Sequence, residues 1–176
     1  MHEIQATLLR LHPLGENGVI AIWISPAGIQ RTAAKGALSP KSPFRGSLDL
    51  FFQCDIRWSP AKSGDLHTLT STSIINPRLG LRSHFSRLSA ASYFALLLLS
   101  TMESGTPAKE EHNLLNRALA YLEKQNPEKR AILHFEKELA LIHGIYSDQT
   151  PPFTTLLKSS AKLPPLRQSL FDSLEH

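Results

Sequence analysis

One cysteine, Cys54, stands in a sequence of 176 residues, which excludes an internal disulfide and any cysteine-based zinc site. Its expected place is that of a small buried apolar side chain in a strand. The longest uninterrupted apolar run, Tyr93 to Leu99, falls far short of the ~20 residues that a membrane-spanning helix needs. The opening Met1-His2-Glu3-Ile4 has no basic stretch followed by an apolar one and a small-residue cleavage site, so no secretory signal is read and the cytoplasm is the expected compartment. Charged residues make up only 19% and hydrophobic ones 41%. That is apolar enough to fill a core and unlike a disordered chain. At roughly 150 residues per domain, the length allows one domain or two small ones.

Acidic residues are missing altogether between Glu16 and Asp49, while Arg31, Lys35, Lys41 and Arg45 fall inside that gap. The formal net charge of +4 is therefore uneven: residues 1–90 carry +5 and residues 91–176 carry −1. A basic patch of this kind attracts polyanions.

Up to about residue 76 the chain consists of short β-rich runs separated by turn residues. Five strands are expected, over 4–11, 19–24, 29–37, 48–58 and 65–75, with Pro13, Gly15, Ser25-Pro26, Gly28 and the Pro- and Ser-rich stretch after Gly36 as punctuation. Neither face of the fifth run is strongly apolar. Five strands in some 75 residues suit a small closed barrel, because closure removes exposed edges. An OB-fold is the best candidate, and an SH3-type barrel fits the same count.

From about Ser83 the hydrophobic period changes from two to 3.6. Residues 85–102 are rich in Leu and Ala with few charges, the composition of a helix buried on most sides. Residues 110–124 place Leu115, Ala118, Leu119 and Leu122 on one face. Asn126-Pro127-Glu128 then reads as a cap, a first-turn proline and a first-turn acid, and Gly144 stands where a left-handed C-cap ends the helix. Phe153 to Leu157, the break Pro164-Pro165 and a last turn through Leu170, Phe171 and Leu174 follow. The expected fold is α+β, with an N-terminal five-stranded OB-fold-like barrel over 1–80 and an α-helical domain over 81–176.

Motifs that carry catalysis are lacking. The eight histidines form no HExxH or similarly spaced ligand pair, so no metal is expected. Ala34-Lys35-Gly36 lacks the glycine-rich loop of a phosphate-binding P-loop, and no GxSxG elbow or nucleophile with an evident base is present. The expectation is a protein that is not an enzyme and uses no cofactor. What remains is cation plus aromatic on a barrel: Arg31, Lys35, Lys41, Phe44, Arg45, Arg57 and Lys62, with Arg78, Arg82 and Arg87 extending the track or solvating the first helix. Single-strand binders combine these two parts, since cations neutralise phosphates and aromatic faces stack bases. Phe51, Phe52 and Trp58 are expected in the core, and Phe44, set between proline and arginine in a loop, is the stacking candidate.

The stretch Ala33-Ala34-Lys35-Gly36-Ala37-Leu38-Ser39-Pro40-Lys41-Ser42-Pro43-Phe44-Arg45-Gly46-Ser47-Leu48, followed by Leu50-Phe51, resembles the bacterial DNA repair and recombination family RecO. Leu14-Gly15-Glu16-Asn17 upstream, and Ala91-Ser92-Tyr93 and His134-Phe135-Glu136-Lys137-Glu138-Leu139 with His143-Gly144 downstream, extend the likeness over roughly residues 1–148. The resemblance implies binding to single- and double-stranded DNA, annealing without a nucleotide cofactor, and a nucleoid-associated cytoplasmic location. It also implies RecR, the C-terminal tail of single-stranded DNA-binding protein, and RecA as partners. By the same likeness Lys35, Lys41 and Arg45 become DNA contacts, with Arg31 added by proximity. Many relatives carry a zinc-holding cysteine cluster and further helices after the position of His143-Gly144, and this sequence has neither. Two other readings compete: a protein-interaction module of the repair machinery with little direct DNA affinity, and an RNA-binding OB-fold protein of translation.

Overall fold

Period-two alternation builds five strands: β1 (His2–Leu14), β2 (Gly18–Ser25), β3 (Gly28–Ala34), β4 (Gln53–Ser59) and β5 (Leu66–Asn76). A computed structural model of the chain describes residues 1–159 and 166–174; the Pro164-Pro165 break lies outside the described residues. The strands close into a barrel in the order β1-β2-β3-β5-β4, with β3 and β5 parallel and the other neighbours antiparallel. That order is the Greek key of an OB-fold, not that of an SH3-type barrel. β1 serves two partners, pairing with β4 through His2–Thr7 and with β2 from Thr7 onward, and a bulge between Leu8 and Arg10 gives it the bend that closure requires.

Inside, Trp23 is fully buried and donates its indole N–H to Thr32 Oγ1 at 2.9 Å. Along β4, Cys54, Ile56 and Trp58 point inward while Asp55 and Arg57 point out. Burial, followed by the nearby Asp55 charge, pushes the Cys54 thiol up to about 11. The reactive thiolate is therefore scarce and enclosed. Cys54 is expected to react with a thiol reagent at pH 8 far more slowly in the folded chain than in denaturant; equal rates would contradict its burial.

Three strands differ from the sequence expectation by more than one residue. β1 runs His2–Leu14 and not over 4–11, with Pro13 paired to Val19 of β2 and so not ending the strand. The third strand stops at Ala34 because Gly36, at φ 68°, turns the chain. The fourth begins at Gln53, not at residue 48, because Phe51 takes φ 68°, a left-handed conformation that no extended strand continues through, while the rings of Phe51 and Phe52 are both buried. Their backbone is held to β1 by Phe51 N–H to Leu8 O (2.8 Å) and Leu8 N–H to Phe52 O (3.0 Å).

The chain divides into two compact units. The first is Met1–Arg78 with Glu103–Lys109, and the second is Leu79–Met102 with the described residues from Glu110 onward. In the second, a 3-10 turn (Leu79–Ser83) precedes α1 (Phe85–Thr101), α2 (Lys109–Lys124), α3 (Lys129–Ile142), α4 (Pro152–Ser159) and α5 (Leu166–Leu174), so two short helices do follow His143-Gly144, contrary to the expectation of no further helices there. α1 is buried on several sides, through residues such as Ala91, Tyr93, Phe94 and Leu98, and Phe94 stacks on Phe135 of α3 at 4.0 Å.

The start of α3 also differs from the expectation. Glu128 is the N-cap residue and Asn126 caps nothing, because its side-chain oxygen accepts from Arg87 Nε at 2.8 Å. Arg87 also donates to the carbonyls of Glu123 (2.8 Å) and Lys124 (3.2 Å), so it closes the C-terminus of α2. Gly144, at φ 67°, ends α3 in a Schellman motif: its N–H reaches Leu141 O at 3.0 Å, and Ile145 N–H reaches Ala140 O at 2.9 Å. No helix among the described residues is long and apolar enough to cross a membrane.

Candidate nucleic-acid interface

β3 sets the first part of the site. Thr32 and Ala34 point into the barrel, so Arg31 and, just past the strand, Lys35 lie on its outer side. The chain then runs through successive tight turns, with Ser39 N–H bonding Gly36 O (3.0 Å), Ser42 N–H bonding Ser39 O (3.0 Å) and Ser47 N–H bonding Phe44 O (3.1 Å). Leu38 N–H ties this loop to Asn17 O of the β1–β2 turn at 2.9 Å. Lys35, Lys41 and Arg45 are thus displayed, all exposed, on one loop beside the β1–β2 turn. Neither lysine enters an ion pair among the described residues, and Arg45 spends one donor on Pro40 O at 3.4 Å.

Phe44 does not serve as an exposed platform. It is 5% exposed and belongs to the barrel core, because the loop folds back and its prolines and serines form turns that drive the ring inward. The turn residues brace it: Ser42 Oγ accepts the Phe44 N–H at 3.1 Å and Ser47 Oγ donates to the Phe44 carbonyl at 2.9 Å. A groove of about 420 Å³ runs between this loop and the barrel, lined in part by Leu11, Leu38, Phe44 and Arg45.

The other sequence-selected cations divide by partner. Arg31 forms a two-oxygen pair with Asp65, at 3.0 and 3.2 Å, and the hydrogen bond from Arg31 holds the Asp65 carboxyl below the usual carboxylate range. Arg57 pairs with Glu3 at 3.0 Å. Both pairs are solvated and worth little, so a phosphate can replace either carboxylate at small cost. Lys62, in the β4–β5 loop, is exposed. Arg78 is not part of a surface track: it is 3% exposed, at φ 48°, with its backbone N–H on Asn76 Oδ1 (2.9 Å) and a guanidinium nitrogen 3.5 Å from Gln53 Oε1. Arg82 is exposed but belongs to the helical unit, as does Arg87.

The helical unit carries a feature that the sequence reading missed. Between α2 and α3 lies a groove of about 570 Å³ with Phe94, Leu114 and Phe135 as its apolar lining. Arg117, Arg130 and His134 stand around it. The signal was present as spacing: Leu114, Arg117, Ala118 and Tyr121 on α2, and Arg130, Ala131, His134 and Phe135 on α3, recur at three and four residues and so share a face. Reading only the most apolar positions hides a face of mixed character.

Among the described residues no three His, Cys, Asp or Glu side chains stand together, and the Cys54 sulfur is buried 3.8 Å from Ser47 O.

Residues 1–78 match the family described as Recombination protein O N terminal. The chain is 32% identical over 125 residues to the DNA repair protein RecO of Cyanothece sp., a match covering 70% of this chain and 42% of that protein. The RecO of Synechococcus elongatus is 33% identical over 122 residues, covering 69% and 45%, and that of Rhodopirellula baltica 26% over 140 residues, covering 79% and 52%. The chain thus spans about half the length of the curated relatives it matches. With an OB-type barrel over the residues that match the family's N-terminal part, and relatives whose similarity runs on into the helices, the chain belongs to the RecO family.

Proposed function

We propose that this chain is a non-enzymatic DNA-binding protein of recombinational repair, whose barrel holds single- and double-stranded DNA by the phosphates and brings complementary strands together. The observation that carries the reading is the set of exposed cations Lys35, Lys41 and Arg45 on one loop, in a stretch of sequence without a single acid. Strand annealing fits such a surface. Two strands repel through their phosphates, and a basic surface that releases their counterions removes that barrier with no nucleotide cofactor. Arg31 on β3 and Lys62 in the β4–β5 loop extend the path along the strand and loop positions by which OB-folds grip oligonucleotides. The name DNA repair protein, borne by the relatives, supports the same role. The expected result is a single-stranded oligonucleotide affinity, read by fluorescence anisotropy, that falls steeply with salt. With one phosphate contact from each of these five cations the slope of log K against log salt is about −3.5. No binding at low salt would overturn the reading.

The proposed partners rest on separate support. A tail of single-stranded DNA-binding protein needs an apolar pocket rimmed by cations, and the α2–α3 groove with Arg117 and Arg130 has that character. Arg130 is held by Glu128 at 2.8 Å, but the pair is exposed and exchangeable. The same groove favours the second reading, a protein-interaction module of the repair machinery with little DNA affinity of its own. RecR and RecA remain partners on family grounds. A labelled tail peptide is expected to bind the chain and to lose affinity about tenfold in Arg117→Glu, in line with the loss of one charged contact; an unchanged affinity would remove the groove from the account.

A further inference from the structure

His2, Trp58 and His67 stand on the three adjacent strands β1, β4 and β5, and their rings stack. His2 lies 5.5 Å from Trp58 at 20°, and Trp58 lies 6.4 Å from His67 at 25°, within the range of offset aromatic stacking. His2 is the direct cross-strand partner of Trp58. The indole in the middle is 7% exposed, whereas His2 is exposed. His67 is fixed by the backbone, since its Nδ1 accepts the Ala61 N–H at 3.2 Å, which also ties down the β4–β5 loop. The next residue, Lys62, is exposed. The two acids closest in sequence, Glu3 and Asp65, are each engaged by an arginine, Arg57 and Arg31.

An imidazole that covers an indole on one face and meets solvent on the other presents a π surface held at fixed height and tilt. Stacking on such a surface is tolerant of base identity, because every base has a π face. We propose that an unpaired base of single-stranded DNA stacks on the exposed face of His2, continuing the His2–Trp58–His67 column. The proposal rests on the DNA-binding reading and adds to it a base-contacting site away from the basic β3–β4 loop. Duplex DNA, whose bases are already stacked, has no base to offer here.

The test is a titration of the full chain with an oligo(dT) strand, read by tryptophan emission and by anisotropy. The chain has two tryptophans, and Trp23 is sealed in the core. Binding is expected to quench emission in the unsubstituted chain and not in Trp58→Phe. His2→Ala is expected to weaken oligo(dT) binding about tenfold, as the loss of one stacked base implies, while duplex affinity stays within twofold. His2→Phe, which restores an aromatic face without the imidazole, is expected to recover most of the loss. Full oligo(dT) affinity in His2→Ala, or saturable binding without quenching, would overturn the site and leave loop-based DNA binding standing. Failure of the unsubstituted chain to bind either DNA at low salt would overturn both.

Discussion

Arg167→Ala is expected to destabilise the helical unit by about 3–5 kcal/mol, the cost of stripping one partner from a buried ion pair. Glu136, on α3, is completely buried, and Arg167 of α5 grips both its oxygens, at 2.7 and 3.1 Å. Tyr93 of α1 donates its hydroxyl to the same carboxylate at 2.6 Å. Burial, then the Glu136 charge and that hydrogen bond, push the Tyr93 hydroxyl far above its ordinary range, so it stays a donor. The guanidinium itself lies 4.0 Å from the ring centre of Phe153 and 4.3 Å from that of Phe171, one ring from α4 and one from α5. One arginine thus joins α3, α4 and α5. Its removal leaves a carboxylate in the core with Tyr93 alone.

The variant's pH dependence identifies the cause. A buried carboxylate without its cation binds a proton more tightly in the folded state than in the unfolded one. Where the folded state binds more protons, stability rises as pH falls. Arg167→Ala is therefore expected to lose less stability at pH 5 than at pH 8, measured by urea unfolding. A penalty that is equal at the two pH values would show that lost packing, not a stranded charge, is responsible.

Gly28→Ala is expected to destabilise the barrel unit by roughly 2–6 kcal/mol, since it combines a strained backbone with overpacking. Gly28 opens β3 at φ 109°, a conformation that side-chain-bearing residues rarely adopt. A Cβ there would also collide with the backbone carbonyl oxygen of Thr106. Retreat is difficult, because the segment bearing Thr106 is held to the β2–β3 turn by Ala108 N–H to Pro26 O at 3.0 Å. Ser25 braces the same turn, donating to Gly28 O at 3.2 Å and accepting from Ala27 N–H at 3.2 Å. Gly15→Ala, at another positive φ but in open space, is the control and is expected to cost only about 1 kcal/mol from backbone strain. Equal losses in the two variants, by thermal or urea unfolding, would remove the steric part of the argument.

Much of the architecture was legible because local pattern and global fold agree. The β-branched run of β2, the turn at Ser25-Pro26 and the glycine after it define a hairpin without reference to the rest of the chain. The same holds for Gly144 at the end of α3. The errors fall where a distant group decides. Phe44 reads as a loop aromatic, yet the loop folds onto the barrel and hides it. Arg31 and Arg57 read as free cations, yet Asp65 and Glu3 stand 34 and 54 residues away in sequence and beside them in space. Asn126 has the composition of a cap, and Arg87, 39 residues earlier, takes its oxygen. Periodicity reports which face is buried and is silent on which polar groups meet. The α2–α3 groove was hidden for a related reason, since arginine and histidine on an apolar face weaken the very pattern by which faces are found.

The proposed function rests on the β3–β4 loop holding DNA by its phosphates. The decisive experiment is the anisotropy of a labelled single-stranded oligonucleotide, measured at several salt concentrations with the unsubstituted chain and with Lys35→Glu/Arg45→Glu. Both side chains are exposed, and the fold is expected to survive their exchange. Loss of two phosphate contacts predicts a weaker affinity and a salt slope shallower by about 1.4. Equal affinity and equal slope in the two proteins would contradict the claim and leave the loop as solvated surface.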